Sequence, residues 1–355
     1  MHVDVIDTYD DFDKLRLNWE SLYTLDPEAQ FFLSWIWLSQ LFLRRPDSWC
    51  ILAAKPNQDA SDYVAFFPLR PTSRFSKSRN EYIDEIYMGG NFWADYTGLI
   101  CHPDFEQTAI PAFAEHLKSM NWSKLHLESF RASDRRIALL TDQFAAPYFR
   151  KSYRNRTSKV DGINNLISPF VSLPASFDEY LQTRVSTNTR QKIRRFLRKI
   201  ATSDDLRIDA TTPSTRDQDL DALIGYWKDR WAERKGKKID TLGSKYRRIL
   251  EQGLEADIVY MPVLRQNDRP ISILASFIDR DKKSLLYFVA GRNQSWNVLP
   301  AGLVLHAHNI RWAIENDMCT YDLLRGDEQY KYSLGAENRL LVCIRLERRS
   351  GGIRR

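Results

Sequence analysis

Apolar residues recur at helical spacing in the first stretch of the chain, where Leu15, Trp19 and Leu22 share one side of Phe12–Leu25. A second helix is expected over Phe31–Leu43. Short apolar runs then predict strands at Trp49–Ala54, Tyr63–Leu69 and Tyr82–Met88, the last closed by Gly89-Gly90. Phe105–Met120 is expected to be helical, Leu125–Phe130 a strand and Arg135–Phe144 another helix. After the polar stretch Lys151–Asn165 a similar order recurs.

In this second half Phe170–Leu173 is a short strand and Phe177–Ile200 a helix with a break near Ser186–Asn188. Leu206–Ala210 is a strand, and Leu220, Leu223, Ile224, Trp227 and Trp231 mark one face of a helix over Arg216–Arg234. Lys245–Leu254 is a further helix with Gly253 as its cap. Three strands follow at Ile258–Leu264, Pro270–Asp279 and Ser284–Ala290. A helix then opens at Leu-Pro-Ala-Gly302 with Pro300 in its first turn, and Leu303, Ala307, Ile310 and Ile314 form its buried stripe. Strands at Thr320–Leu324 and Leu340–Leu346 complete the second sheet. The pattern predicts an α/β (α+β) protein of two tandem domains, 1–160 and 161–355, each a mixed, mostly antiparallel sheet flanked by helices. An internal duplication would explain the recurrence.

Composition narrows the class. A chain of 355 residues with 43% hydrophobic and 12% aromatic content is globular and long enough for two cores. The net charge of +6 is a modest excess of 52 basic over 46 acidic residues, so where the basic residues fall matters more than their sum. Cys50, Cys101, Cys319 and Cys343 show no metal-like spacing, and three lie in apolar runs, as buried free thiols in a reducing compartment would. The acidic N-terminus lacks a signal-peptide form and the most apolar run, Phe31–Leu43, falls short of a membrane span. A cytoplasmic location is expected, with peripheral contact at the inner membrane face as a variant.

Candidate chemistry concentrates near the end. Thr320–Leu324 breaks at Gly326 into a loop carrying Asp327, Glu328, Tyr330, Lys331 and Tyr332, so acid, base and phenol crowd one strand end. An ordinary turn at Gly326-Asp327 with rim tyrosines would look the same. The context before it favours a site: a strand, a polar loop and the Leu-Pro-Ala-Gly-Leu helix start make an anion-binding arrangement of unpaired N–H groups and helix dipole. His306 and His308 are two apart on a helix and face different ways, which disfavours a metal site. No Gly-x-Ser-x-Gly, Walker or dinucleotide fingerprint occurs.

From Ile271 to Gly335, the run of two strands, Leu-Pro-Ala-Gly-helix and Tyr-Asp-Leu-Leu-Arg-Gly-Asp-Glu-x-Tyr-Lys-Tyr resembles the GNAT-fold acetyltransferases of the CelD-like, cellulose-biosynthesis-associated type. Phe31-Phe-Leu-Ser-Trp-Ile-Trp and Val64-Ala-Phe-Phe-Pro-Leu extend the resemblance to most of the chain. It implies tandem GNAT-like domains, similar in arrangement to Fem-type aminoacyl transferases, with acetyl-CoA or another acyl-CoA bound by the second and no cofactor in the first. The resemblance places the pyrophosphate against backbone around Asn297, Pro300, Ala301, Gly302 and Leu303, and the pantetheine arm beside Phe288, Val289 and Ala290. The Arg/Gln-x-x-Gly-x-Gly/Ala loop of many such enzymes is absent here.

Amine attack on a thioester needs a base and benefits from a proton donor for the departing thiolate. Asp327 or Glu328 suits the base and Tyr330 the donor, while Lys331 could orient an anion or stabilise the developing oxyanion. Trp227 and Arg325 are the candidates for contact with the acceptor, a small-molecule or glycan amine such as an amino sugar or cell-envelope precursor. The helix segment Arg190–Lys199 carries six basic residues above an apolar stripe of Ile193, Phe196, Leu197 and Ile200, which fits an anionic partner or a solvated face. An N-acyltransferase is expected. The alternatives are a Fem-type transferase holding aminoacyl-tRNA on that helix and a non-catalytic scaffold for an anionic partner.

Overall fold

A computed structural model describes residues 1–78 and 80–349. They form two compact units: Met1–Ile167 together with residues 340–349, and Ser168–Arg339. The first contains β1 (His2–Ile6), α1 (Tyr9–Lys14), α2 (Arg16–Leu25), α3 (Trp35–Leu43), β2 (Cys50–Lys55), β3 (Ala65–Ser76), β4 (Glu81–Met88), β5 (Ile100–Cys101), α4 (Glu106–Ser119), β6 (Lys124–Phe130), α5 (Asp134–Thr141) and β7 (Phe149–Tyr153). The second runs β8 (Ile167–Ser172), α6 (Phe177–Thr183), α7 (Thr187–Ala201), β9 (Leu206–Ala210), α8 (Arg216–Lys235), α9 (Ile239–Glu255), β10 (Val259–Tyr260), β11 (Pro262–Gln266), β12 (Arg269–Asp279), β13 (Ser284–Arg292), α10 (Ala301–Glu315), β14 (Thr320–Asp322), α11 (Gln329–Ser333) and β15 (Glu337–Leu340). The last strand is β16 (Val342–Arg348).

Local chemistry sets most of these bounds. The expected helix over Phe31–Leu43 is a short 3-10 turn followed by α3, because the Ser34 side chain accepts from the Trp37 N–H and caps a new start. Ser186 likewise caps α7 by accepting from Thr189, which produces the expected break after α6. Asn267 and Asp268 both hold positive φ, the two-residue turn that closes the β11–β12 hairpin. Gly253 is no cap. It lies buried inside α9, where a Cβ would stand 2.4 Å from Val259. Pro300 precedes α10 as its N-cap residue and is not part of the first turn.

Each unit holds an eight-stranded mixed sheet among the described residues: β1-β2-β3-β4-β6-β16-β7 with β5 on β3, and β15-β8-β14-β13-β12-β11-β9 with β10 on β12. β16 corrects one expectation. Strand Leu340–Leu346 was expected to finish the second sheet, yet Val342–Arg348 pairs antiparallel with β6 and β7 of the first. Alternation alone shows that a strand exists; its partners are set by which sheet edge is open.

In both sheets one parallel pair is joined by a crossover helix: β4 and β6 through α4, and β13 and β14 through α10. In the second unit, α8 and α9 pack beside Phe277 and Phe288, while α7 and α10 bury Leu264, Leu274, Val304 and Leu305 from the other face. Gly291 permits the α8 contact, since a Cβ there would stand 2.5 Å from the Leu223 carbonyl oxygen. Cys50, Cys101 and Cys343 are buried free thiols and Cys319 is exposed.

Candidate active site

The parallel pair of the second unit opens early. β13 matches β14 only over Ser284↔Thr320, Leu285↔Tyr321 and Leu286↔Asp322. Beyond this the chain after β14 turns toward β8, with the Leu323 N–H donating to the Pro169 carbonyl at 3.0 Å. A β-bulge marks the same point on β13: Ser276 faces Tyr287 and Ala275 faces Val289, so Phe288 is the extra residue. Bulges bend a strand and sharpen its twist. Among the described residues no strand pairs with the edge of β13 left free by β14 from Tyr287 onward.

The N-terminus of α10 supplies the second component. Pro300 gives no side-chain cap, Ala301 donates to Leu299, and Val304 donates to Pro300. The N–H groups of Gly302 and Leu303 find no acceptor among the described residues, as first-turn amides do without a cap. Gly302 is exposed, and a Cβ built on it meets nothing within 4 Å. Asn297 and Pro300 are exposed beside it, whereas the side chains of Ala301 and Leu303 pack into the core and leave only their backbone for a ligand. Val289 is buried and Ala290 packs toward α10. This set of free amides, open space and free strand edge fits an anion joined to an extended amide-bearing arm.

The third component is the loop after β14. Leu324 has φ +58° and Gly326 φ +100°, a tight path that turns three successive carbonyls inward. The Lys331 ammonium donates to all three, at 3.3 Å to Leu324, 2.9 Å to Arg325 and 2.9 Å to Gly326. It also lies 2.8 Å from the Glu328 carboxylate, and the residue is only 2% exposed. Its N–H groups are therefore committed to holding this loop. Asp327 and Glu328 are half-buried on the same loop, as is Arg325.

Tyr330 follows in α11 and reaches α10. Its ring centroid lies 5.7 Å from that of His306, and His306 lies 4.8 Å from Tyr287 in an edge contact. The Tyr330 and Tyr287 phenols are close enough to influence each other's ionisation. Desolvation is the largest influence on both: it pushes Tyr287 up to about 12 and also raises Tyr330, which is 42% exposed and so feels it less than a fully buried ring would, and both phenols keep their protons at neutral pH. Burial, aided by the Lys331 charge, lowers His306 to about 3, which makes it a neutral imidazole. Its Nδ1 is 2.8 Å from the Tyr321 Oη.

Glu328, Tyr330 and Lys331 thus stand beside the second turn of α10, with Asp327 on the same loop. Trp227 is not with them. It is buried, its ring 4.9 Å from Tyr246, which in turn touches Phe288 from the α8–α9 side. His306, Tyr287 and Tyr321 join the cluster without having been expected there. A signal existed: His306 is four residues after Gly302, on the same face of the helix, where side chains lean back toward the N-terminus.

Among the described residues no group of three or more His, Cys, Asp or Glu is arranged to hold a metal, and no helix is long and apolar enough to cross a membrane.

Residues 187–332 match the acetyltransferase (GNAT) domain family. Among solved structures, the chain is similar to FemX, at TM-score 0.63 and 11% identity over 98% of this chain and 98% of that one. It is also similar to a conserved protein of unknown function from Bacteroides thetaiotaomicron, at TM-score 0.54 and 11% identity over 98% and 100%. At this identity the likeness is one of fold. No curated protein sequence matches the chain.

Proposed function

We propose that the protein is an N-acyltransferase of GNAT type, akin to the CelD-like group, moving an acetyl or other acyl group from acyl-CoA to an amine. The observation that carries this reading is the opening between β13 and β14 beside an uncapped α10 N-terminus. The N–H groups of Gly302 and Leu303 would hold the pyrophosphate, and the free edge of β13 from Tyr287 to Ala290 would pair with the pantetheine amides. The thioester supplies an activated acyl carbon. An amine adds to it, the C–N bond forms and the C–S bond breaks, with the electron pair leaving on sulfur.

The residues of this chain handle the protons. Asp327 or Glu328, directly or through water, takes the proton that the amine loses on forming the amide. Tyr330, protonated at neutral pH, donates a proton to the departing sulfur. Its proton is restored from the acid formed on the carboxylate, so the net change is an amide and a thiol. Lys331 acts through the loop it holds, and Arg325 contacts the acceptor. The acceptor we assign is an amino sugar or another cell-envelope or polysaccharide precursor, acted on in the cytoplasm or at the inner face of its membrane.

Thermal unfolding with acetyl-CoA and longer acyl-CoAs tests the reading, together with amine-dependent release of free thiol. A rise in Tm at micromolar acyl-CoA is expected, and it should vanish in Gly302→Glu, whose carboxylate would occupy the anion position. No shift with any acyl-CoA would overturn the proposal.

A Fem-type aminoacyl transfer is the second reading, and α7 favours it. Ile193 and Ile200 are buried and Phe196 and Leu197 half-buried, so the apolar stripe of α7 is used in packing while Arg195, Arg198 and Lys199 face outward. Arg194 pairs with Asp178 at 3.1 Å; Arg198 and Arg311, which form no ion pair among the described residues, border a groove of about 560 Å³ that Asp178 and Glu315 also line. This reading requires salt-sensitive retention of tRNA that is lost when Arg194, Arg195 and Arg198 are neutralised.

A further inference from the structure

His306 is a buried imidazole whose two nitrogens have different surroundings. Nδ1 lies 2.8 Å from the Tyr321 Oη. Burial raises the Tyr321 phenol strongly, an effect that the neighbouring Asn309 and Ser276 side chains oppose only in part, so the phenol keeps its proton. Asn309 Nδ2 also donates to the Ser276 Oγ at 2.9 Å. His306 Nδ1 is the partner the structure gives the Tyr321 phenol proton, and if Nδ1 accepts it the ring proton of a neutral His306 sits on Nε2. Nε2 has no hydrogen-bond partner among the described residues. The ring stands between Tyr287 and Tyr330, one turn into α10 from the free amides of Gly302 and Leu303 and beside the opening of β13 from β14.

We propose that His306 is a catalytic residue of this site, presenting Nε2–H as a neutral hydrogen-bond donor to the carbonyl oxygen of the acyl donor. The oxygen gathers negative charge as the amine adds and releases it as the C–S bond breaks, and His306 neither gains nor loses a proton. A neutral imidazole suits this task because it carries no charge to be desolvated and does not surrender its proton at neutral pH. Tyr321 is a positioning residue: it fixes the tautomer and takes no part at the reacting atoms. This assignment rests on the acyltransferase reading. It extends that reading to a residue outside the Asp327–Lys331 loop.

Two measurements test it. Nitrogen-15 chemical shifts of His306 in the unliganded protein should report a proton on Nε2 from pH 8 down to pH 5, and Tyr321→Phe should convert this into a mixture of tautomers. In the protein with carbon-13-labelled acetyl-CoA, the thioester carbonyl band should lie at lower frequency than in solution. The paired variant His306→Leu/Tyr321→Phe, which removes both hydrogen-bonding partners together, should return the band to its solution position and lower kcat about a hundredfold. Its Kd for acetyl-CoA should stay within about twofold of wild type, since the anion contacts are made by backbone. His306→Gln, which keeps an amide donor, should recover part of the loss. A ring proton on Nδ1, or an unchanged band and kcat in the paired variant, would overturn the role of His306 and leave the acyltransferase reading standing. Failure of the wild-type protein to bind any acyl-CoA would remove both.

Discussion

The two units repeat one design and differ at one place. Each has a parallel strand pair joined by a crossover helix, yet only in the second is the region beside that helix's N-terminus open. In the first, Glu106 occupies the opening turn of α4 and accepts from the Arg136 Nε at 2.9 Å. Arg136, 1% exposed, is also held by both Asp26 oxygens at 2.9 and 2.8 Å and donates to the Cys101 carbonyl. Past the β4–β6 pairing, Thr97 lines the edge of β6, accepting from the Arg131 N–H and donating to the Ser129 carbonyl. In the second unit the matching turn has Gly302 and two free amides, and the strand edge stays bare. One scaffold thus yields a self-satisfied core when it supplies its own carboxylate and arginine, and an anion site when it withholds them.

The largest effect should come from breaking the first unit's internal pairing. Arg136→Met leaves Asp26 and Glu106 buried without their cation and should cost about 3–5 kcal/mol in urea unfolding. In the second unit, Lys331→Met strands three inward carbonyls and should cost about 2–3 kcal/mol. Faster amide exchange confined to residues 323–334 would locate the damage, and turnover should fall with it.

Acid should separate the units next. His306 and His308, lowered by burial to about 3 and about 4, stay neutral in the fold but charge in the unfolded chain once pH drops below about 6.5. Their contribution is complete above that pH and is lost as pH falls toward these values. By pH 5 the loss is about 2 kcal/mol for His306 alone. In the first unit, Glu85 feels desolvation but is brought down to about 2 by its bonds to Tyr87 and Lys124, so its stabilisation persists above its ordinary value of 4.5 and fades only as pH falls toward 2. His116 and His126 are lowered by burial in the same sense as His306. Proteolysis during acidification should therefore cut the second unit first. Equal susceptibility of both units at pH 5 would contradict this ordering.

The smallest effect carries the most specific sign. Gly302→Ala should stabilise the protein by about 0.5–1 kcal/mol, because the helical position is open and alanine is the better helix former. Gly291→Ala should destabilise it, since its Cβ would meet the Leu223 carbonyl oxygen.

Much of this architecture is visible in the chain. Ser186 marks the break before α7, Leu303, Ala307 and Ile310 mark the buried face of α10, and Leu206–Ala210 is a strand as its alternation suggests. The loop holding Asp327, Glu328, Tyr330 and Lys331 also stands out by composition. The direction of its side chains does not: Lys331 suits an anion or a developing oxyanion by type, yet it faces inward onto carbonyls. Nor do β1, β7 and the short α11 announce themselves, being too brief or too exposed to show a clear period.

The sequence by itself determined the helices and strands, their order, the capping positions and the concentration of proton-handling residues late in the chain, because each depends on neighbours within a few turns. Only the tertiary structure decided that β16 joins the first sheet, that β13 and β14 part after three residue pairs, and that His306 sits neutral between two tyrosines. Strand partners and burial arise from contacts between residues far apart in the chain, and no local periodicity records them.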